Sequence, residues 1–480
     1  MKKIKILVII FLVVLLFLAG GWYFWYYAGN LQKTLVSKLF QTQTTTINGT
    51  IQQENIFQDL LGFQSPRYYL LLFLNNTELR PGGGFIGSYG VIKVDKARPE
   101  IIKTEGTEIL DYSQSNVDLP LPPVPIASYL KTEKWYFRDS NWSPDFALSS
   151  AVSLDLYRKE KGVAADDIYG VIGFTPTVIS KILQMTGPIK IDGIEFNSDN
   201  LVEKLEYEVE YGYKDKGIER SNRKDLLGSV AQALISKMKF DIILNWSKYY
   251  ALWEQMIAEK QVMVYSSLPE VQTILSRQGW SGETRASSGD YLLWVDANLG
   301  ALKTDLAVDK QIFYSISSTV SGLVAEAKMA YDHNGKFDWR TSRYRSYARL
   351  YVPFGSKLIS AKGAMKTDRS LEVGPVDQGI ENGRQWFGAF ISIEPGKTGE
   401  LSFKYYLPEP LNEQFKTGKY NLLVQKQLGS LAVKLTLGLD FGKKVIVASP
   451  AEPTAKFGDN RYDLTKDLIV DREFSVSLKY

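Results

Sequence analysis

The stretch "LLLFLNNTELRPGGGFIGSYG", Leu70 to Gly90, decides how the chain is read. Tyr68 to Leu74 is apolar almost throughout, the pattern of a central strand covered on both faces, and Phe85 to Val94 alternates loosely as its neighbour. A bare connection between such strands needs about two to five residues of Asn, Asp or Gly chemistry. Nothing in that chemistry calls for Glu78 or Arg80, so the surplus marks a site. Glu78 and Arg80 leave a buried strand, and Gly82, Gly83 and Gly84 let backbone approach a ligand closely. This is not a Walker phosphate loop, because no Gly-Lys-Ser/Thr follows and the next element reads as a strand.

Working outward, helices and strands are mixed. "DSNWSPDFALSSAVSLDLYRKEKG" predicts a helix with Ser143 as N-cap, Pro144 at its first position and Gly162 as its stop. "IYGVIGF" reads as a short buried strand, "PTVISKILQMTG" as a helix and "PIKIDGIEF" as a hairpin turning at Asp192-Gly193. Two long helical patterns follow, then strands at "VMVYSS" and "YLLWVDAN" with a helix from Pro269 between them. This mixture predicts a layered α/β domain over residues 56–303. From Thr304 the pattern changes to short β-rich runs broken by Gly, Pro or Asn, such as "QIFYSISSTV", "LSFKYYLPEP" and "LAVKLTLGLDFG". Residues 304–480 therefore read as an antiparallel β-sandwich-like domain.

Composition narrows the chemistry. The 480 residues are 45% hydrophobic and 23% charged, ample for packed cores, and the formal charge of +4 without a dense Lys/Arg run gives nucleic-acid binding no support. Zero cysteines remove disulfides, thiol nucleophiles and cysteine-ligated metals, and the single histidine, His333, removes the material for His-rich sites. Carboxylates, arginines, lysines, hydroxyls and backbone groups are left to act.

The opening residues set the expected address. Lys2, Lys3 and Lys5 precede Ile6 to Ala28, an uncharged run that as a helix would be about 34 Å long, enough to cross a bilayer. A cleaved signal peptide is the rival reading, but the run ends in Trp22, Tyr23, Phe24, Trp25, Tyr26 and Tyr27 rather than a small-residue cleavage site. The expectation is a cytoplasmic tail at 1–5, a single transmembrane helix at 6–28, a polar spacer at 29–55 and an extracytoplasmic remainder, held at a bacterial cell membrane.

A second stretch, "GIERSNRKDLLGSVAQALISKM", places Arg220, Arg223, Leu227, Val230 and Leu234 at i, i+3, i+7, i+10 and i+14, so the arginines continue an apolar stripe. An inward arginine needs an anion. Either Glu206, Glu208, Glu210 or Asp225 supplies it as a structural ion pair, or the two guanidinium forks clamp a phosphate.

"NNTELRPGGGFIGSYG", the "SPDF" helix start, "YGVIGFTPTVISKILQMTGPI", the Arg220/Arg223 segment and "NLGALKTD" resemble an uncharacterised bacterial family of membrane-anchored proteins with a domain of unknown function, over Pro66 to about Lys357. The family brings no activity with it. A more distant likeness is to the LytR-CpsA-Psr enzymes, exported phosphotransferases that move glycopolymers from polyprenyl-diphosphate carriers onto the cell wall. It rests on the N-terminal anchor, the turn "TGPI" and the arginine segment "GIERSNRKD". This chain departs from that pattern where Pro81 and Gly82 follow Arg80, and where Glu219 and Lys224 stand beside the arginines. The resemblance implies Arg220 and Arg223 as diphosphate ligands, Mg²⁺ as cofactor, and a lipid-linked glycan and wall polymer as partners. Arg80, in a comparable place after the first strand, and Asn76 join the diphosphate ligands, and Glu78 and Asp145 are the candidate catalytic carboxylates, as metal ligand or base. Asp145 also has a plainer reading as favourable charge in the first turn of a helix. The alternative function is a non-catalytic surface scaffold or glycan-binding module.

Overall fold

The computed structural model describes residues 59–479 except 97, 114–116, 220–222, 224 and 455. The expected tail, membrane helix and spacer, and Arg220, lie outside the described residues. Among the described residues no helix is long and apolar enough to cross a membrane.

The strand read from the opening stretch, Arg67–Asn75, is the middle of a five-stranded sheet. Phe85–Asp95 pairs with it antiparallel, Leu71 opposite Gly90, and Ile168–Phe174 pairs parallel, Leu71 opposite Ile172. Arg98–Gly106 and Val262–Ser266 form the edges. Its unbroken apolar run has a direct cause, because both faces are covered. Tyr69 and Leu71 point into a core with Ile179, Leu183, Val230, Leu234 and Trp253 from the helices Pro176–Thr186, Asp225–Leu244 and Trp246–Ala258. Leu70, Leu72 and Leu74 point the other way, against Phe137, Phe146 and Leu154.

The helix Phe146–Lys159 starts later than predicted. Asp145, extended at φ −92°, is the N-cap and accepts from the backbone N–H groups of Ala147 at 3.1 Å and Leu148 at 3.2 Å. Ser143, the expected cap, instead accepts from the Asp145 N–H at 3.2 Å. A carboxylate satisfying two orphan donors outcompetes a hydroxyl two residues earlier.

Apart from the hairpin of Ile189–Ile191 with Ile194–Phe196, the remaining strands build two facing sheets. Six strands run in the order Lys357–Lys362, Thr398–Tyr406, Gly322–His333, Val308–Thr319, Lys434–Asp440, Arg461–Asp467. Seven run in the order Asp377–Glu381, Arg384–Ile393, Tyr344–Pro353, Asp290–Asn298, Lys419–Gln425, Arg472–Leu478, Val445–Ser449. Tyr314, Phe403 and Leu437 from the first meet Trp294, Leu350 and Phe387 from the second in one core, which makes the pair a sandwich. Each sheet contains one parallel pair, Val308–Thr319 with Lys434–Asp440 and Asp290–Asn298 with Lys419–Gln425, so the sandwich is mixed rather than purely antiparallel. Asp290–Asn298, assigned by the sequence to the α/β part, sits at the centre of the seven-stranded sheet, and every one of its nine residues is buried.

The two parts are stitched together by the segment 425–430. The Gln427 side chain accepts from the Asp296 N–H at 2.9 Å and donates to the Asp296 carbonyl at 2.7 Å and the Arg80 carbonyl at 3.3 Å. Leu428 packs in the core beneath Phe146 and bridges to Gly82, and the Gly429 N–H donates to the Lys260 carbonyl at 2.8 Å. The glycine run has its explanation here. A Cβ on Gly82 would stand 2.8 Å from Asn141 Cβ, and one on Gly84, at φ +146°, would stand 2.6 Å from the Asn75 carbonyl. The glycines admit the protein's own backbone.

Candidate functional site

The two parallel strands Arg67–Asn75 and Ile168–Phe174 end side by side, and a cavity of about 330 Å³ opens beyond their carboxyl ends. Ligand sites in α/β sheets favour that position, because the connections leaving the strands diverge there. The floor is apolar, built by Phe73, Phe174, Ile179, Leu205, Val209 and Leu227. Leu205 and Val209 come from the helix Leu201–Tyr207 and the π-helical turn Glu208–Gly212 that continues it. A π-helical turn is an uncommon insertion, found often at functional sites.

Charges ring this floor. Glu78, Glu108, Glu206 and Glu210 face Arg138, Arg223 and Lys303. Arg223 lies 2.8 Å from Glu108 and 3.3 Å from Glu210, and Lys303 lies 3.6 Å from Glu210. Arg138 is held from behind by Asp111 at 3.3 Å and Asp139 at 3.7 Å. Glu206 accepts from Arg340 Nε at 2.7 Å and from the Thr77 hydroxyl at 2.5 Å. Burial pushes the Glu206 carboxyl up, against the opposing pull of Arg340 and the Thr77 hydroxyl. Glu78 is raised for the same first reason, desolvation, with Arg80 and Lys303 pulling it back down. The Arg223 Nε is buried and has no hydrogen-bond partner among the described residues, an N–H beside the cavity still lacking an acceptor.

The predicted site residues divide by position. Glu78 and Arg223 share the cavity. Arg80 lies behind it, its side chain 3% exposed, with Nε and Nη2 each 3.3 Å from Asp139 Oδ1, Nη2 3.4 Å from Glu78 and Nη1 donating to the Asn298 carbonyl. The Asn76 amide donates to the Thr177 hydroxyl at 3.1 Å and the Gly429 carbonyl at 3.0 Å. Asp145 is elsewhere, on the far face of the sheet, where besides capping its helix it accepts from the Thr284 N–H at 2.9 Å and the Asn382 amide at 2.7 Å. Burial still pushes its carboxyl up, against the opposing pull of the Thr284 and Leu148 N–H groups. Arg223 precedes the helix Asp225–Leu244 instead of extending its stripe, while Val230 and Leu234 are buried as the spacing predicts.

A site for Mg²⁺ does not assemble from these groups. Among the described residues no three acidic or histidine side chains converge in metal-ligating geometry, and the carboxylates at the cavity each have a basic partner: Arg80 for Glu78, Arg223 for Glu108 and Glu210, Arg340 for Glu206. Sequence reasoning passed over Lys303, Arg138 and Glu108. The first follows a loop glycine in "NLGALKTD", and the others lie in segments without periodicity, so only the tertiary fold gathers them.

Residues 64–210 match the model of a family described as a protein of unknown function, DUF4012. The match holds the Asn75 to Gly90 motif and ends before Arg223. No curated protein matches the chain. Among solved structures, the chain is similar to a nutrient binding protein of Legionella pneumophila, so described without experimental assignment, at 7% identity over 39% of this chain and 71% of that one, with a TM-score of 0.26. It is also similar to a mutant M1 zinc metallopeptidase of Deinococcus radiodurans bound to a Tyr-Ser-Ala substrate, at 11% identity over 36% of this chain and 42% of that one, with a TM-score of 0.15. The chain thus spans under half the length of that peptidase, and neither likeness carries a functional argument.

Proposed function

We propose that this protein is an extracytoplasmic, membrane-tethered protein of the bacterial envelope that binds a lipid-linked, diphosphate-bearing glycan, taking the hydrocarbon next to the diphosphate into the apolar cavity and the diphosphate at its charged rim. The observation that carries this reading is the pairing of an apolar floor with Arg223, whose Nε faces no acceptor. A purely polar ligand would waste the floor, and a purely apolar one would strand the rim. The diphosphate enters by replacing Glu108 and Glu210 at Arg223 and Lys303, exchanging one anionic partner for another instead of exposing a bare cation.

Transfer of glycosyl phosphate is the reaction this binding would serve. An acceptor hydroxyl oxygen attacks the phosphorus that bears the sugar, its proton passes to Glu78, the bridging P–O bond breaks and the lipid monophosphate leaves. A carboxylate raised by burial is a stronger base than one in water, which favours Glu78 for that proton. The guanidinium of Arg223 would take up charge on the leaving phosphate.

Isothermal titration of the full-length protein with farnesyl diphosphate, farnesol and inorganic pyrophosphate tests the reading. The diphosphate ester should bind more tightly than either fragment. If pyrophosphate binds as well as the ester, the cavity plays no part. If none binds, the scaffold alternative is favoured.

A further inference from the structure

Beside the cavity mouth lies a cluster of rings that the binding of a lipid diphosphate does not use. Tyr207 and Tyr211 are four residues apart and stand nearly parallel, centroids 6.2 Å apart at 26°. Trp339, from the loop after the strand Gly322–His333, meets both edge to face, at 5.5 Å and 79° and at 5.6 Å and 78°. Tyr207 is 42% exposed and Tyr211 40%, and Trp339 is half-buried, so the tyrosines are packed yet open to solvent. Packing of this kind removes the rotamer freedom that a ring would otherwise lose on binding.

The flanking groups are polar and planar. Glu203, four residues before Tyr207, continues the same stripe with its side chain 66% exposed. Arg340, next to Trp339, lies 3.8 Å from Glu203 and 2.7 Å from Glu206. Glu206 and Glu210, each one residue before a platform tyrosine, line the cavity, so the rings occupy the adjoining face of the same two turns. The rings therefore adjoin the charged rim through Glu206 and Glu210.

We propose that Tyr207, Tyr211 and Trp339 form a carbohydrate subsite that takes the sugars following the diphosphate, a proposal that rests on the lipid-linked glycan reading above. Sugar rings present apolar C–H faces that stack on aromatic rings, while their hydroxyls need planar groups that donate and accept in pairs. Glu203 and Arg340 supply an acceptor pair and a donor fork at the edge of the stack. A bilayer surface is the competing occupant of exposed tyrosine and tryptophan. Glu203 and Glu206 are balanced by Arg340 and by Lys214, whose Nζ lies 5.8 Å from the Tyr211 ring centroid, so the rings offer anionic headgroups no excess of positive charge and suit a neutral, hydroxyl-rich partner.

The test uses the full-length protein in lipid nanodiscs. Saturation-transfer NMR with N-acetylchitotetraose and with maltotetraose should show transfer to at least one sugar, and Tyr211→Ala and Trp339→Ala should each weaken that binding about tenfold. Farnesyl diphosphate affinity should be unchanged in both, which separates failure of the platform from failure of the cavity. Glu203→Gln leaves the packed rings in place and should weaken sugar binding without moving the thermal midpoint, so a folding defect in Trp339→Ala leaves the question decidable. If sugar binds and farnesyl diphosphate does not, the platform stands and the cavity reading falls. Absence of transfer from both glycans overturns the proposal. So does quenching of Trp339 by brominated anionic lipid, read as wild type minus Trp339→Phe.

Discussion

Gly83 and Gly429, nearly 350 residues apart in sequence, cross so closely that a Cβ on Gly429 would stand 1.9 Å from the Gly83 carbonyl oxygen. Gly429 is at φ +67°, so an alanine there meets both a steric and a backbone penalty. The crossing is where the segment from the sandwich enters the α/β part.

Gly429→Ala should therefore destabilise the whole protein by about 2–4 kcal/mol, the scale of overpacking with added strain. Urea unfolding should stay one cooperative transition with a lower midpoint. A two-step transition in wild type would show that the α/β and sandwich parts fold separately. Because Gln427 and Leu428 sit inside the α/β layer, a fragment ending near Leu302 should lack cooperative unfolding.

Asp145 ties its helix start to two other segments. Its carboxylate serves two helix N–H groups, the Thr284 N–H and the Asn382 amide, and it is 2% exposed. Asp145→Ala should cost about 2–3 kcal/mol, a lost cap plus stranded donors, and leave farnesyl diphosphate affinity unchanged. Titration calorimetry and thermal unfolding of the same sample read both quantities.

Behind Arg138, Asp111 and Glu160 are wholly buried side by side, and neither Asp111 oxygen nor Glu160 Oε2 has a hydrogen-bond donor. A proton shared between the two carboxyls supplies one. Burial, then the Glu160 charge, pushes Asp111 up to about 9, and Glu160 is also raised by burial. The folded pair holds a proton that the unfolded chain gives up near pH ~4. Its contribution is therefore fully present below about pH 4 and is lost as pH rises toward about 9. Glu160→Gln can donate permanently to Asp111, so its urea midpoint should exceed wild type at pH ~8 and match it at pH ~5, flattening the profile. Parallel profiles for the two proteins would contradict a shared proton.

Filling the cavity separates binding from folding. Leu227 lines the floor and is only partly buried, so Leu227→Trp should occupy ligand space without opening a void. Farnesyl diphosphate binding should fall at least about tenfold while stability holds within about 1 kcal/mol.

Much of the α/β part was legible because its patterns are local. The apolar run of Tyr68 to Leu74 announced a strand covered on both faces, and Val230 and Leu234 at helical spacing announced a buried stripe. Much of the surplus in the turn after Leu74 has a structural explanation. Arg80 and the glycines hold the crossing with Asp139, Asn141 and Gly429, while Asn75 and Glu78 line the cavity. The central place of Asp290–Asn298 in the second sheet was not legible, since a short apolar strand carries no mark of which partner it will choose. Nor was the rim, because Glu108, Arg138 and Lys303 meet only through tertiary contacts between segments without a shared pattern.

The central claim is that Arg223 holds a ligand's diphosphate at the mouth of an apolar cavity, and the ligand-induced shift of the thermal midpoint tests it most directly. Farnesyl diphosphate at about 100 times its dissociation constant should stabilise the full-length wild type by about 2.7 kcal/mol. Arg223→Ala leaves Glu108 and Glu210 partly exposed, 29% and 35%, so its own midpoint should move little while the ligand-induced shift disappears. Arg223→Lys, with the charge but not the fork, should keep only part of the shift. No shift in wild type at saturating ligand, together with a large loss of stability in Arg223→Ala, would contradict the claim and make the arginine a structural ion pair.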